Sequence, residues 1–313
     1  MHPSYLRLSK KDLIKRIKKL FRILKNCEIC PRKCQVNRLK GEKGFCKLGE
    51  APMVSAFHPH FGEETPLVGN YKIFSLKEHN LCRGSGTIFF TSCNLSCVYC
   101  QNYEISQLRI GQEISYERLA EIMLDLQERG CCNINLVTPT PQVPQILKSL
   151  LIAIEYGLKI PLIYNTSSYD SYKVLRLLDG IIDIYMPDVK YSDNRVALRY
   201  SGIPDYFDIM KKAVKEMHRQ VGDLVLNKEG VAIKGVLVRH LVLPNNLAGS
   251  RKVLGFLSKE ISKNTFLNIM DQYYPCFKAF KYPELSRRIT EKEYQDVIDL
   301  AKKLGLKRLY QNQ

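Results

Sequence analysis

From residue 86 onward, short apolar runs alternate with longer segments whose apolar side chains recur every three or four positions. The runs GTIFFT (86–91), NINLVT (133–138), PLIYNT (161–166), IIDIYMPDV (181–189), GVLVRHLVLP (235–244) and TFLNIMDQYY (265–274) are bounded by turn residues and read as buried strands. Between them lie helical patterns. Residues 116–130 carry Leu119, Ile122, Met123 and Leu126 on one face; 143–157 and 171–180 end at Gly157 and Gly180; 206–221 carry Phe207, Met210, Val214, Met217 and Val221; 250–262 and 290–304 supply two more. Alternating β and α elements predict parallel strands with right-handed crossovers. The number of runs predicts an α/β fold built as a partial (βα)6 TIM-like barrel. A hairpin is expected within 223–238, turning at Lys228-Glu229-Gly230.

Upstream, residues 10–25 place Leu13, Ile14, Ile17, Leu20, Phe21 and Leu24 on one side of a basic helix, which is expected to pack on the catalytic domain. Residues 50–83 hold Gly/Pro turn signals around His58-Pro59-His60-Phe61-Gly62 and from Thr65-Pro66 to Gly69-Asn70. This stretch reads as a lead-in without regular structure, and its two histidines as turn residues rather than ligands. The division that follows is 1–83 for the basic helix, a cysteine-rich segment and the lead-in, 84–280 for the core, and 281–313 for a C-terminal helical extension.

In parallel α/β folds, chemistry gathers beyond the C-terminal ends of the strands. Each run here ends in polar or turn residues: Ser92-Cys93, Thr138-Pro139-Thr140, Asn165-Thr166-Ser167, Asp188 with Lys190, Arg239-His240, and Asp271-Gln272. The first of these opens TSCNLSCVYCQNY, with Cys93, Cys97 and Cys100 spaced C-x3-C-x2-C. Three thiolates so close in sequence can share one inorganic cluster. A cubane normally takes four, so one iron would be left without a protein ligand, the open position expected of a catalytic site. A second group, CEICPRKCQVNRLKGEKGFC, spaces Cys27, Cys30, Cys34 and Cys46 as C-x2-C-x3-C-x11-C. Four thiolates with loop residues between them suit zinc or a second iron–sulfur cluster, and the metal would supply the segment's folding energy.

Composition narrows the reading further. Seven of the eleven cysteines fall in these two groups, which argues for metal or redox chemistry rather than a disulfide framework. No apolar run approaches the ~18 residues of a membrane span, and the basic N-terminus lacks a signal-peptide core, so a cytoplasmic location and no membrane partner are expected. A net charge of +17 reads first as a Lys-rich solvated surface, with an RNA partner as the lesser alternative.

The segments CEICPRKCQVNRLKGEKGFC, GSGTIFFTSCNLSCVYCQNYEIS, NINLVTPTPQVPQI, YNTSSYD, DIYMPDVKYSD and VRHLVLP together resemble the pyruvate formate-lyase activating enzyme-related branch of the radical S-adenosylmethionine (SAM) superfamily. The resemblance runs from about Cys27 to Tyr274. It implies a radical SAM oxidoreductase in which Cys93, Cys97 and Cys100 hold a [4Fe–4S] cluster whose fourth iron is chelated by SAM. Reductive cleavage would give a 5′-deoxyadenosyl radical that abstracts hydrogen from a substrate, in activases a glycine of a glycyl-radical protein. It further implies an electron donor such as flavodoxin or ferredoxin, Tyr99 against the cluster or adenine, and Asp188 and Lys190 near SAM. Arg239 would lie on the methionine carboxylate. Where many superfamily members carry Gly-Gly-Glu for the SAM amine, this chain has Thr138-Pro139-Thr140, so those hydroxyls are the candidates. Radical modification of RNA or a peptide, and a zinc-organised nucleic-acid-binding protein, remain the competing readings.

Overall fold

The strands that read as buried runs do form one parallel array. In the computed structural model, which describes residues 2–69 and 82–310, the strands are β1 (Met53–His60), β2 (Ser85–Phe90), β3 (Gln112–Glu113), β4 (Ile134–Val137), β5 (Leu162–Thr166), β6 (Ile184–Pro187), β7 (Val225–Leu226), β8 (Ala232–Leu241), β9 (Phe266–Met270) and β10 (Arg308–Tyr310). The helices are α1 (Lys10–Ile23), α2 (Thr65–Val68), α3 (Tyr103–Ser106), α4 (Tyr116–Glu128), α5 (Val143–Glu155), α6 (Tyr172–Leu177), α7 (Asn194–Ser201), α8 (Tyr206–Val221), α9 (Ser250–Phe256) and α10 (Glu291–Lys303). The sheet order is β10-β9-β8-β6-β5-β4-β2-β1-β3, with β7 hairpinned onto β8. From β2 to β10 every neighbour along this path is parallel. Each of β2, β4, β5, β6, β8 and β9 is followed by a helical crossover, so the partial (βα)6 barrel expected from the sequence is present and β10 extends it by one strand.

The helices begin and end where their caps dictate. The Ser115 hydroxyl accepts the Arg118 N–H at the start of α4. Thr290 and Glu293 form a reciprocal capping box at the start of α10, a device of about 1 kcal/mol. Gly202 closes α7 in the left-handed region. Helix α8 buries Met210, Ala213, Val214, Met217 and Val221, the face its periodicity announced, and α1 buries Leu13, Ile17 and Leu20 while Arg16 reaches the Leu177 carbonyl at the end of α6.

One expectation about the elements is corrected. The lead-in is not irregular throughout: residues 53–60 form β1, antiparallel to β2, with His58 facing Thr87 and His60 facing Ser85. The His58 and His60 rings pack on Phe89 rather than in a turn. Pro59 argued against a strand, but β3 covers only Met53 and Val54 of β1. Pro59 therefore sits on an uncovered edge, where its missing N–H costs no ladder bond. Residues 70–81, the rest of that lead-in, lie outside the described residues. Cys82 and Cys132, outside the two cysteine groups, are brought side by side, with Cα atoms 5.1 Å apart. Among the described residues no helix is long and apolar enough to cross a membrane.

His240 on β8 is wholly buried, its Nδ1 on the Val189 carbonyl and its Nε2 on the Ser250 hydroxyl. Burial pushes its pKa down to about 4 from 6.5. A buried neutral imidazole supports the fold above pH 6.5; as pH falls from 6.5 to 4 the unfolded chain takes up the proton first. On the order of 3 kcal/mol of stability is then expected to be lost across that window. Urea midpoints of the wild type and of His240→Gln at pH 7 and 5 test this: the variant's pH-dependent drop should be distinctly smaller.

Candidate active site

The chain leaves three neighbouring parallel strands through non-glycine residues with positive φ: Ser92 (+77°) after β2, Thr138 (+61°) after β4 and Ser168 (+64°) after β5. Each costs roughly 1 kcal/mol or more and needs local bonds to hold it. The Ser92 N–H goes to the Ile105 carbonyl, the Thr138 N–H to the Asn165 carbonyl, and the Ser168 hydroxyl to the Asp188 carbonyl. These pinned turns form the C-terminal rim of the barrel.

Within the rim lies a cavity of about 260 Å³. Its walls include Cys93, Cys97 and Cys100 on one side and Thr138, Asp188, Lys190 and Arg239 on the other. A larger surface cleft of about 600 Å³ near α9 and α10 is lined by Arg251, Glu293, Asp296 and Lys303 and has no thiol. The chemistry belongs with the smaller cavity.

Each thiol faces a hydrogen-bonding group. The Leu95 N–H points at Cys93 Sγ (3.3 Å), the Ser201 hydroxyl meets Cys97 Sγ (3.0 Å), and the Ser106 hydroxyl meets Cys100 Sγ (3.1 Å). Burial pushes the Cys93 thiol up to about 12 and the Cys97 thiol up to about 11, the latter opposed by Lys190. Apolar burial thus disfavours free thiolates, and metal must displace the protons when it binds. Among the described residues no three His, Cys, Asp or Glu side chains gather closely enough to share a single ion. Three sulfurs facing a common void, each with a donor, fit a [4Fe–4S] cubane whose irons stand apart.

Lys190 donates to Asp188 Oδ2 at 2.7 Å. Burial lowers the lysine's proton affinity, but Asp188 and the Cys97 sulfur outweigh it, so the ammonium stays charged. Tyr99 lines the cavity with its ring wedged between Tyr191 and Tyr273 and its hydroxyl on Tyr191. Arg239 reaches the wall, yet its Nε and Nη2 are taken by Glu64 and Glu63. Glu64 also accepts from Asn268, and Glu63 from Asn135. Burial pushes the Glu64 carboxyl up, but Arg239 and Asn268 more than offset this and hold it below the usual range. Arg239 is therefore the centre of a buried ion cluster in the barrel bore, at the cavity wall.

Thr140 is a correction. It is buried off the cavity, donating to Asp170 Oδ1 at 2.8 Å beside Tyr164 and Thr166. The left-handed turn at Thr138 swings the 140–142 turn inward, so only Thr138 faces the void. Thr140→Val should cost about 1–3 kcal/mol by depriving buried Asp170 of a donor. SAM affinity, measured by calorimetry on the folded variant, should stay within twofold of wild type.

Sequence reasoning assigned no role to Glu63, Glu64, Ser106 and Ser201. The Glu63-Glu64 pair was hidden in a segment read as irregular. The serines carry no local signal, because only the crossovers bring them to the sulfurs.

Residues 87–235 match the family profile of the Radical SAM superfamily. An uncharacterized protein of Methanocaldococcus jannaschii is 34% identical over 298 residues, covering 92% of this chain and 78% of that protein. A second uncharacterized protein of the same archaeon is 25% identical over 269 residues, covering 82% and 73%. Among solved structures, Streptococcus suis SuiB bound to precursor peptide SuiA is similar with a TM-score of 0.47 at 13% identity, covering 68% of this chain and 44% of that one. The FeFe-hydrogenase maturase HydG of Carboxydothermus hydrogenoformans gives a TM-score of 0.46 at 15% identity, covering 70% and 50%. The chain spans about half the length of these two structures. The matched profile covers the strands and loops that carry Cys93, Cys97 and Cys100, and the chain belongs to the radical SAM superfamily.

Proposed function

We propose that this radical SAM enzyme abstracts hydrogen from a small group presented by a partner macromolecule, a glycine of a glycyl-radical protein being the substrate that best suits the site. The observation that carries this reading is the cavity's size. At about 260 Å³ it lies just below the ~300–1,000 Å³ usual for small-molecule sites, so a bound nucleoside sulfonium would fill most of it. A substrate must then reach in from the rim with something as slight as a backbone methylene. Leu108 and Ile110, exposed on the loop that follows the cluster cysteines, offer apolar surface for such a partner.

A [4Fe–4S] cluster held by Cys93, Cys97 and Cys100 and reduced by a donor of the flavodoxin or ferredoxin kind would supply the one-electron chemistry that cleaves SAM and makes hydrogen abstraction through a 5′-deoxyadenosyl group possible. The chain's own residues do the rest. Cys93, Cys97 and Cys100 supply the thiolates, and Ser201, Ser106 and the Leu95 N–H temper their charge. Lys190 and Asp188 set a fixed dipole at the wall, Thr138 would offer a hydroxyl to the SAM amine, and Arg239, at the same wall, would take the carboxylate. Tyr99 and its ring neighbours keep water from one side.

Anaerobic reaction of the reduced protein with SAM and a glycyl-radical protein tests the reading. The expected result is 5′-deoxyadenosine together with a glycine-centred doublet in the EPR spectrum of the partner. 5′-Deoxyadenosine without that doublet, and instead with a modified RNA or peptide, would replace the substrate assignment.

A further inference from the structure

The four N-terminal cysteines lie away from the cavity just described, in a segment wound by its own short bonds. The Cys27 N–H donates to the Val36 carbonyl and the Gln35 N–H to the Cys27 carbonyl, while Lys33, Gln35 and Lys47 take positive φ. The result turns Cys27, Cys30, Cys34 and Cys46 onto one small enclosed void, walled also by Ile29, Val36 and Phe45 and by two arginines. Backbone amides point at the sulfurs: the Phe45 N–H lies 3.4 Å from Cys34 Sγ, and the Arg32 and Leu48 N–H groups serve Cys30 and Cys46. Amide protons aimed at sulfur stabilise thiolates once a metal has displaced their protons.

A second, independent observation calls for negative charge there. Arg38 lines the void and is 1% exposed, yet its guanidinium meets only neutral carbonyls, those of Gly49 and Pro141. Arg32, on the same void, donates to the Asn94 and Gly202 carbonyls and stacks on Phe45. Neither has a carboxylate partner among the described residues. A buried cation left so is costly unless an anion sits beside it. Four thiolates around a metal core carry the charge required.

Spacing separates one ion from a cluster. Zinc bound at ~2.3 Å draws its four sulfurs to within ~3.8 Å of one another, with no free space between them. Here no three of the described cysteines gather closely enough for a single ion. We propose that Cys27, Cys30, Cys34 and Cys46 bind a second, fully thiolate-ligated cubane iron–sulfur cluster, and that zinc is not the resident metal.

This cluster also braces the catalytic loop. The Ser92 hydroxyl donates to the Cys46 carbonyl, and Arg32 holds the Asn94 carbonyl, on the two residues flanking Cys93. The proposal stands apart from any substrate assignment, since it concerns metal content alone.

The test uses full-length protein purified anaerobically and reconstituted with iron and sulfide. Wild type should carry about eight irons and eight sulfides per chain, and Cys93→Ala/Cys97→Ala/Cys100→Ala should keep about four of each with no stoichiometric zinc. The reduced triple variant should give a cubane EPR signal that SAM does not alter. One zinc per chain, or iron falling to zero in the folded triple variant, would overturn the proposal. Should the triple variant fail to fold, the wild-type count decides: about eight irons upholds the second cluster and about four rejects it.

Discussion

Arg239→Met is expected to destabilise the fold by about 3–5 kcal/mol, more than any other single charge removal in the barrel. The guanidinium is the sole cation holding Glu63 and Glu64 among the described residues, and the side chains are 8% and 1% exposed. Without it two carboxylates face each other in the bore, where Asn268 and Asn135 satisfy only part of their capacity. The pH dependence should invert accordingly. In the wild type the Glu64 pKa is depressed, so its contribution is present above the ordinary carboxylate range and is lost as pH falls through the folded value. In the variant the same carboxyl is raised, so the defect should shrink as pH is lowered towards 5. Adding Glu64→Gln to Arg239→Met should recover part of the loss. Chemical denaturation of the three proteins at pH 7.5 and pH 5.5 checks all of this; a variant within 1 kcal/mol of wild type would show that the ion cluster is not what fills the bore.

The second large effect lies at the rim. Cys93→Ala, Cys97→Ala and Cys100→Ala should each lose the SAM-binding cluster, about four irons per chain, and 5′-deoxyadenosine formation should fall to the no-enzyme background. Ser201→Ala is the informative contrast. It removes the hydroxyl 3.0 Å from Cys97 Sγ but no ligand, so iron content should be retained. Loss of a hydrogen bond to a cluster sulfur disfavours the more negative, reduced state. The reduction potential should therefore become more negative, and SAM cleavage should slow with a weak donor yet recover with a stronger one. A structural role for Ser201 alone would leave the potential unmoved.

Much of this was legible in the residue pattern because buried parallel strands are apolar on both faces and leave continuous runs. Helix α8 spans the residues its periodicity marked; β4, β5, β6 and β9 lie within their runs, while β2 and β8 overlap theirs and begin one and three residues earlier. What escaped depends on distant partners. Strand β1 contains Pro59 between two histidines and exists because β2 offers it an edge. Strand β10 is three residues long and is a strand only through β9. Helix α7, NRVALRYS, is short and mostly polar, set by the Asp193 cap and the Gly202 stop. At the site, Cys93, Cys97 and Cys100 share the cavity with Thr138, Asp188, Lys190 and Arg239, while Thr140 does not. A two-residue separation in sequence says nothing of the left-handed turn at Thr138 that sends one threonine out and the other in.

The central claim is that the rim cysteines hold a cluster with an open corner that SAM itself fills. Electron–nuclear double resonance on the reduced protein, with SAM carrying 15N in its amino group and 13C in its carboxylate, addresses it directly. Resolved hyperfine coupling from both labels to the cluster spin is the result this structure predicts. A reduced cluster with SAM bound and neither coupling present would contradict it.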